Sequence, residues 1–420
     1  MLNPVDTLFL QLFIAIAAGF IVEWFSRVIR VPDIALFLLV GIALGPQILH
    51  VISFPPTGII SSAVLTFGMI VLVYEGGRSL ELKIMRKIWV STTLLATVGV
   101  LVTAGVMTVA IFMLLGMPLM QAALAGAVIA STDPAAIIPL LDRIRVPQRL
   151  SHLLVAESAF NDATGAVLTL LLAGLVTTGH VAPLQVGLRF ALMVLGGLGI
   201  GVVVGFVIMA LVSHESRLGA LFRGTYHPAI ASLLVILASY SIAQAIGASG
   251  LMAVFAAGIV VGNRSRFGLG LVQVGEDAHD FYLSTNALVL RMLVFVILGS
   301  HVALDVVGKI LAPGLLVMLV FLFVARPLTV ALCLLPDRKA RWRPNEILFA
   351  AWVRETGVVP AALAGLLESM SIPGASLITA IVFLAVLVTI VGQASTTGLW
   401  ARVLHLQANP PLATATSQSS

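Results

Sequence analysis

A single cysteine, Cys333, stands in the whole chain, inside the apolar run TVALCLL. One thiol excludes an intrachain disulfide, and no Cys/His spacing of a metal site is present. Charge is scarce too. Only 10% of the 420 residues are Asp, Glu, Lys or Arg, against about 25% in soluble globular chains. The opening MLNPVDTLFLQLF has neither a basic n-region nor a small-residue cleavage site. It reads as the entry to a retained helix, not as a signal peptide. The polar stretch 407–420 reads as a short tail, with no nucleotide-binding or regulatory module visible after the apolar part.

What fills the chain is apolar sequence: 60% of it is hydrophobic, with a mean hydropathy of +1.12. The solvent of such a chain is a bilayer. The net charge of +5 would suit a nucleic-acid partner, but the basic residues sit in short loops between apolar runs. Lipid headgroups and membrane orientation explain them, and no nucleic-acid partner is expected.

A spanning helix needs about 20 apolar residues. About thirteen runs qualify, at roughly 7–29, 33–50, 58–77, 89–115, 118–141, 148–178, 184–212, 226–247, 249–263, 284–303, 307–335, 345–369 and 373–404. Gly247 to Gly250 is either a turn or a kink between the eighth and ninth. Thirteen spans put the loop arginines and lysines from Arg27 to Arg402 on one side, with Lys309 on the other. The positive-inside rule then places the N-terminus outside and the C-terminus in the cytoplasm. The expected fold is an all-α polytopic membrane protein, with a transmembrane domain over 1–406. It divides into a first repeat at about 7–178, a linker helix at about 184–212 and a second, inverted six-helix repeat at about 226–404. The fifth and twelfth spans are counterparts, broken and crossing. One breaks at Ser131-Thr132-Asp133-Pro134, the other at Glu355-Thr356-Gly357 with Pro360. Paired interrupted helices in matching positions point to a transporter's binding site.

Ionisable residues within the membrane cost about 2.5–3.5 kcal/mol each and are functional candidates by default. The richest group is STDP followed by ESAFNDATGAV. Proline disfavours the helical conformation of Asp133 and supplies no N–H. Carbonyls near Ala130 and Thr132 are thus freed as ligands. Glu157, Ser158, Asn161 and Asp162 follow at i, i+1, i+4 and i+5, one polar stripe on a helix. A hard monovalent cation takes oxygen ligands, and Asp162, Asp133, Ser158 and Thr132 offer carboxylate, hydroxyl and carbonyl oxygen. Burial penalises the charged carboxylate, so a proton and a cation compete for it. Competition at one carboxylate suffices for antiport.

At these residues the chain resembles the cation/proton antiporter superfamily, in its electroneutral NhaP and NHE sodium/proton exchanger branch. VPDIALFLLVGIALGP, STDP, ESAFNDATGAV, LMAVFAAGIVVGN and FVILG carry the resemblance over nearly the whole chain. It implies a scaffold and dimer bundle beside a moving six-helix core, in a homodimer. It also implies exchange of Na+, or Li+ or K+, for H+ by alternating access, without a cofactor. Asp162 is then the shared site, with Ser158, Thr132 and Asp133 as ligands or near-ligands and Asn161 supporting the crossing. The Asn161-Asp162 pair matches one-for-one exchange. Glu75, in VYEGG, matches a glutamate that some archaeal members add to the site, or is a helix-end residue. The family's twelfth helix usually carries Gly-Leu-Arg-Gly, and its arginine pairs with the glutamate matching Glu157. Here Thr356 takes that position. Arg354 is the favoured substitute, with Arg326 or Arg291 as alternatives.

Other readings are a sodium-coupled solute symporter, an ion channel and an intramembrane serine protease. The protease reading would rest on Ser249 in Gly247-Ala248-Ser249-Gly250 with His301 as base. The expected location is the inner or plasma membrane, with the cation, the proton, lipid and a second copy of the chain as partners.

Overall fold

A computed structural model of the chain describes residues 3–29, 33–55, 58–132, 141, 144, 146–178, 183–212, 227–269 and 273–406. Among the described residues the regular structure is all helical. This follows from the solvent: lipid offers no hydrogen-bond partner, so each segment satisfies its backbone internally. The helices are α1 (Pro4–Ile29), α2 (Asp33–Leu44), α3 (Ile59–Arg78), α4 (Leu82–Leu115), α5 (Leu119–Ala130), α6 (Gln148–Thr178) and α7 (Pro183–Val212). After them come α8 (His227–Ala245), α9 (Gly250–Gly262), α10 (Gln273–His301), α11 (Leu304–Leu334), α12 (Pro344–Trp352), α13 (Val358–Ser369) and α14 (Ala375–Val388). A π-helical stretch, Thr389–Ala394, carries α14 on into Ser395–Val403. Among the described residues 8 helices are long and apolar enough to cross a membrane, namely α1, α3, α4, α6, α7, α10, α11 and α14. Phe9, Phe13, Phe20 and Trp24 of α1 and Leu188, Leu192 and Leu195 of α7 are exposed. Such faces suit lipid, not water.

The packing falls into two groups. The first joins α1, α2, α3, α7, α8, α9 and α10, and the second joins α4, α5, α6, α11, α12, α13 and α14; where the groups meet, α6 lies against α3, α7 and α9, and α13 against α3 and α10. Glycine sets the closest crossings within the first group. A β-carbon on Gly41 would stand 2.3 Å from the Val296 carbonyl oxygen, and one on Gly299 2.3 Å from that of Leu38. The crossing of α9 with α3 repeats this. There Gly258 would meet the Tyr74 oxygen at 2.4 Å and Gly77 the Phe255 oxygen at 2.3 Å. In all four cases the carbonyl belongs to the residue three positions before the facing glycine. The same register occurs in Gly41-Ile42-Ala43-Leu44-Gly45 and Gly258-Ile259-Val260-Val261-Gly262.

Among the described residues helices occupy the expected apolar runs, 8 of them long and apolar enough to cross a membrane, and two details differ. Gly247 takes φ +76°, and Ser249 caps α9 by accepting from the Met252 amide at 3.2 Å. The segment is therefore a turn and not a kink. Basic residues also reach the end expected to carry Lys309 alone: Arg189 lies in the early turns of α7, at the end where α6 finishes. The two expected breaks occur where the sequence placed them. α5 stops at Ala130, with Ser131 extended at φ −72°, ψ 148°. Between α12 and α13 the chain is non-helical from Val353 to Gly357. Asp133, Pro134 and the residues to 140 lie outside the described residues.

Two glycines of α7 separate close packing from propensity. A β-carbon on Gly201 would lie 1.9 Å from the Ala253 carbonyl oxygen, whereas Gly199 has open space. Gly201→Ala is expected to destabilise the protein by about 1–3 kcal/mol through overpacking. Gly199→Ala is expected to be neutral or to stabilise by up to about 1 kcal/mol. Thermal unfolding in detergent compares the two, and equal effects would contradict this packing.

Candidate functional site

The site is built on α6. Residues 153–159 and 161–167 are buried on every face of the helix, so neighbouring helices close around it on several sides. The polar stripe is carried inside with them. Glu157, Ser158 and Asn161 are each 2% exposed, and Asp162 is 4% exposed. The end of α5 runs beside this stripe. Ser131 Oγ donates to Asp162 Oδ1, and Thr132 Oγ1 donates to Ser158 Oγ at 3.0 Å. The broken helix thus delivers hydroxyls onto the two residues that stack one turn apart on α6.

A helix that stops inside a membrane leaves its last carbonyls without intrahelical donors, and that end carries partial negative charge. Two buried arginines answer both problems. Arg354, 1% exposed, donates from Nη2 to the Ala130 oxygen at 2.6 Å and to the Ile129 oxygen at 3.4 Å. Its Nη1 lies 3.4 Å from Thr103 Oγ1, and its guanidinium lies 4.9 Å from the Phe321 ring centroid. Arg326, also 1% exposed, closes α12. Its Nε donates to the Ala350 oxygen at 3.0 Å, and its Nη2 donates to the Val353 oxygen at 2.9 Å. The extended segment is braced further by Gln393 Nε2 on the Trp352 oxygen at 2.6 Å and by the Thr356 amide on Thr389 Oγ1 at 3.1 Å.

Arg326 holds Glu157. Nη2 lies 3.0 Å from Glu157 Oε2, and Nη1 donates to Oε1. This corrects the expectation that favoured Arg354. Arg354 sits in the extended segment, where its fork is drawn to the open C-terminal end of α5. Arg326 follows the π-helical stretch Phe321–Ala325 of α11 and takes the carboxylate. Asn161 Nδ2 approaches Glu157 Oε1 at 3.5 Å, the limit of a hydrogen bond.

The remaining candidates separate. Glu75 accepts from Arg78 at 2.8 and 3.0 Å at the C-terminal end of α3, with 28% of its side chain exposed. The helix-end role is the one this geometry fits. Asp133 is outside the described residues, whereas Glu355 is buried in the extended segment. Ser131 was missed by sequence reasoning. It stands first in the same STDP run, and its hydroxyl reaches Asp162 because the chain is already extended at this residue. Ser249 is occupied as a helix cap, and His301 faces Phe54. Neither contact prepares a nucleophile with a base.

A bundle of apolar helices around a buried carboxylate, hydroxyls and interrupted backbone defines a membrane transporter of small cations. The chain belongs to the family described as sodium/hydrogen exchanger, transmembrane, whose sequence pattern matches residues 12–403. It is 29% identical to the probable Na(+)/H(+) antiporter 2 of Methanocaldococcus jannaschii, over 84% of this chain and 82% of that protein. To the K(+)/H(+) antiporter NhaP of Alkalimonas amylolytica it is 28% identical, over 91% of this chain and 64% of that protein. The structure of the sodium proton antiporter MjNhaP1 from Methanocaldococcus jannaschii at pH 8 aligns with a TM-score of 0.79 at 26% identity. That alignment covers 96% of this chain and 100% of that one.

Removing one partner of a buried ion pair costs about 3–5 kcal/mol, because the other charge is left uncompensated. Arg326→Met is expected to lose that much stability in thermal unfolding. The double variant Arg326→Met/Glu157→Gln is expected to recover the part due to the stranded charge. The part due to the Ala350 and Val353 carbonyls should remain lost. Strictly additive losses would contradict the pairing.

Proposed function

We propose that the protein exchanges a monovalent cation for a proton by alternating access, with both competing for Asp162. The observation that carries this reading is the burial of Asp162 on α6 with the Ser131 hydroxyl of the broken helix on its carboxylate. A proton or a cation neutralises that carboxylate, and only a neutralised site crosses an apolar barrier cheaply. Ser158, Thr132, Asp133 and Ser131 supply further oxygens. Glu157, Arg326 and Arg354 support the site through the ion pair and the helix-end carbonyls, and Asn161 beside Asp162 leaves one exchangeable carboxylate in the pair. That supports electroneutral, one-for-one exchange.

Na+ is the favoured cation, with Li+ and K+ as alternatives, since oxygen donors serve all three. The relatives above are named for Na+ and for K+. A symporter for an organic solute needs a larger chamber. The cleft lined by Thr132, Glu157, Ser158, Arg326, Val353 and Arg354 has no room for one.

The proposal includes about thirteen spans in two inverted six-helix repeats joined by α7. The matching glycine registers of α2 on α10 and of α9 on α3 support it. So do the π-helical stretches inside both α4 and α11, and the paired breaks after α5 and α12. The orientation proposed is N-terminus outside and C-terminus cytoplasmic, in a homodimer in the inner or plasma membrane.

Everted vesicles carrying a pH gradient provide the test. Adding Na+, Li+ or K+ is expected to dissipate the gradient with the wild-type protein and with Ser249→Ala. Asp162→Asn is expected to fall to the empty-vesicle background. Full exchange by Asp162→Asn would overturn the reading.

A further inference from the structure

A second buried acid, which the exchange chemistry above does not use, lies at the end of the molecule where α10 and α13 finish. His301 is the last residue of α10, and Glu368 lies in the last turn of α13. Their side chains are 2% and 9% exposed. His301 Nε2 lies 2.9 Å from the Phe54 carbonyl oxygen, in the loop between α2 and α3. A carbonyl only accepts, so Nε2 carries the hydrogen and Nδ1 of the neutral ring is a bare acceptor. Nδ1 faces Glu368 Oε2 at 3.6 Å. The other carboxylate oxygen, Oε1, accepts from Thr379 Oγ1 at 2.6 Å. Two acceptors therefore meet inside the protein. Among the described residues neither has a hydrogen-bond partner, and their separation is longer than a hydrogen bond. One proton is what the geometry lacks.

We propose that His301 and Glu368 form a second proton-binding site, separate from Asp162, and that proton uptake there clamps α13 to α10 and the α2–α3 loop. The proton comes from the aqueous phase and adds to Nδ1 or to Oε2. No other bond breaks, and either placement turns the gap into a hydrogen bond. Protonation of Nδ1 makes that bond charge-assisted, which shifts a two-state balance by about tenfold or more. The pair joins the two packing groups, α10 from one and α13 from the other. Alternating access as proposed above requires those groups to move against each other, and the consequence for exchange rests on that reading. Acid on the face where α10 ends then slows exchange. At this end of the molecule, the other titratable groups described on the surrounding elements are Asp305 and Lys309 early in α11, His50 after α2 and Asp6 in the first turn of α1. All are exposed, and among the described residues none pairs with His301 or Glu368. Gln121 of α5 beside Gly374 and Thr379 of α14 do not titrate.

Nitrogen NMR of 15N-histidine-labelled protein in lipid tests the site directly, with His301 assigned by difference from His301→Gln. At alkaline pH the ring is expected to carry its hydrogen on Nε2 with Nδ1 bare. Acidification is expected to move the Nδ1 resonance, in the wild type and equally in Asp162→Asn. Glu368→Ala is expected to lose that movement over the same pH range. In proteoliposomes, Glu368→Ala is expected to lose the acid slowing. Glu368→Gln, whose amide donates permanently toward Nδ1, is expected to exchange about tenfold more slowly at alkaline pH. A hydrogen on Nδ1 at alkaline pH, or an Nδ1 titration indifferent to Glu368, would overturn the proposal, as would an unaltered pH profile in Glu368→Ala. Absence of exchange in the wild type would instead count against Asp162, and the nitrogen resonances would still decide the His301–Glu368 site.

Discussion

Two helix ends left open in an apolar interior set the terms for the rest of this structure. α5 stops at Ala130 and α12 at Trp352, and lipid supplies nothing to satisfy the carbonyls exposed there. Arg354 closes the first end and Arg326 the second. Burying a guanidinium is itself costly, and Arg326 is balanced by the Glu157 carboxylate. Arg354 lies against the Phe321 ring and the negative end of α5. Once these charges are committed, the Ser131 and Thr132 hydroxyls can approach Asp162 and Ser158 without an arginine competing at the same oxygens. The breaks, the arginines and the buried Asp162 carboxylate form one arrangement.

Much of this was legible in the chain itself. Apolar run lengths marked the helices, and the i, i+1, i+4, i+5 spacing from Glu157 to Asp162 marked a single face. The Asp-Pro step and the Glu355-Thr356-Gly357 run marked the interruptions. What escaped the sequence depends on how far side chains reach. A guanidinium spans more than a helical turn, so position alone does not choose between Arg326 and Arg354. The choice is made by the π-helical stretch before Arg326 and by the extended backbone at Arg354. Ser131 was passed over because one extended residue, not a helical period, decides which hydroxyl meets Asp162. Glu75 lies in a conspicuous motif, but its carboxylate is taken by Arg78 one turn along α3.

Polar networks secure the molecule at both ends of the site's helices. At one end Arg149 holds Glu346 and stacks on Trp342, while Ser91 binds Asp337 at 2.7 Å and accepts from Trp342 at 2.8 Å. These contacts stay within the group that carries the site and keep α4, α6, α11 and α12 together. At the other end His301 and Glu368 join that group to its neighbour, and there the contact lacks a proton. Rigid fastening within one group, and a proton-dependent contact between the two, suits a machine in which one group moves as a unit.

The most direct test of the account is proton release on cation binding. Detergent-solubilised protein is titrated with Na+ or K+ in weakly buffered solution on the acid side of neutrality, and an indicator reads the pH. Competition at Asp162 predicts release of about one proton per cation bound, because the carboxylate must be deprotonated to act as a ligand. Asp162→Asn should show neither binding nor release. Cation binding without proton release, or release undiminished in Asp162→Asn, would contradict the account.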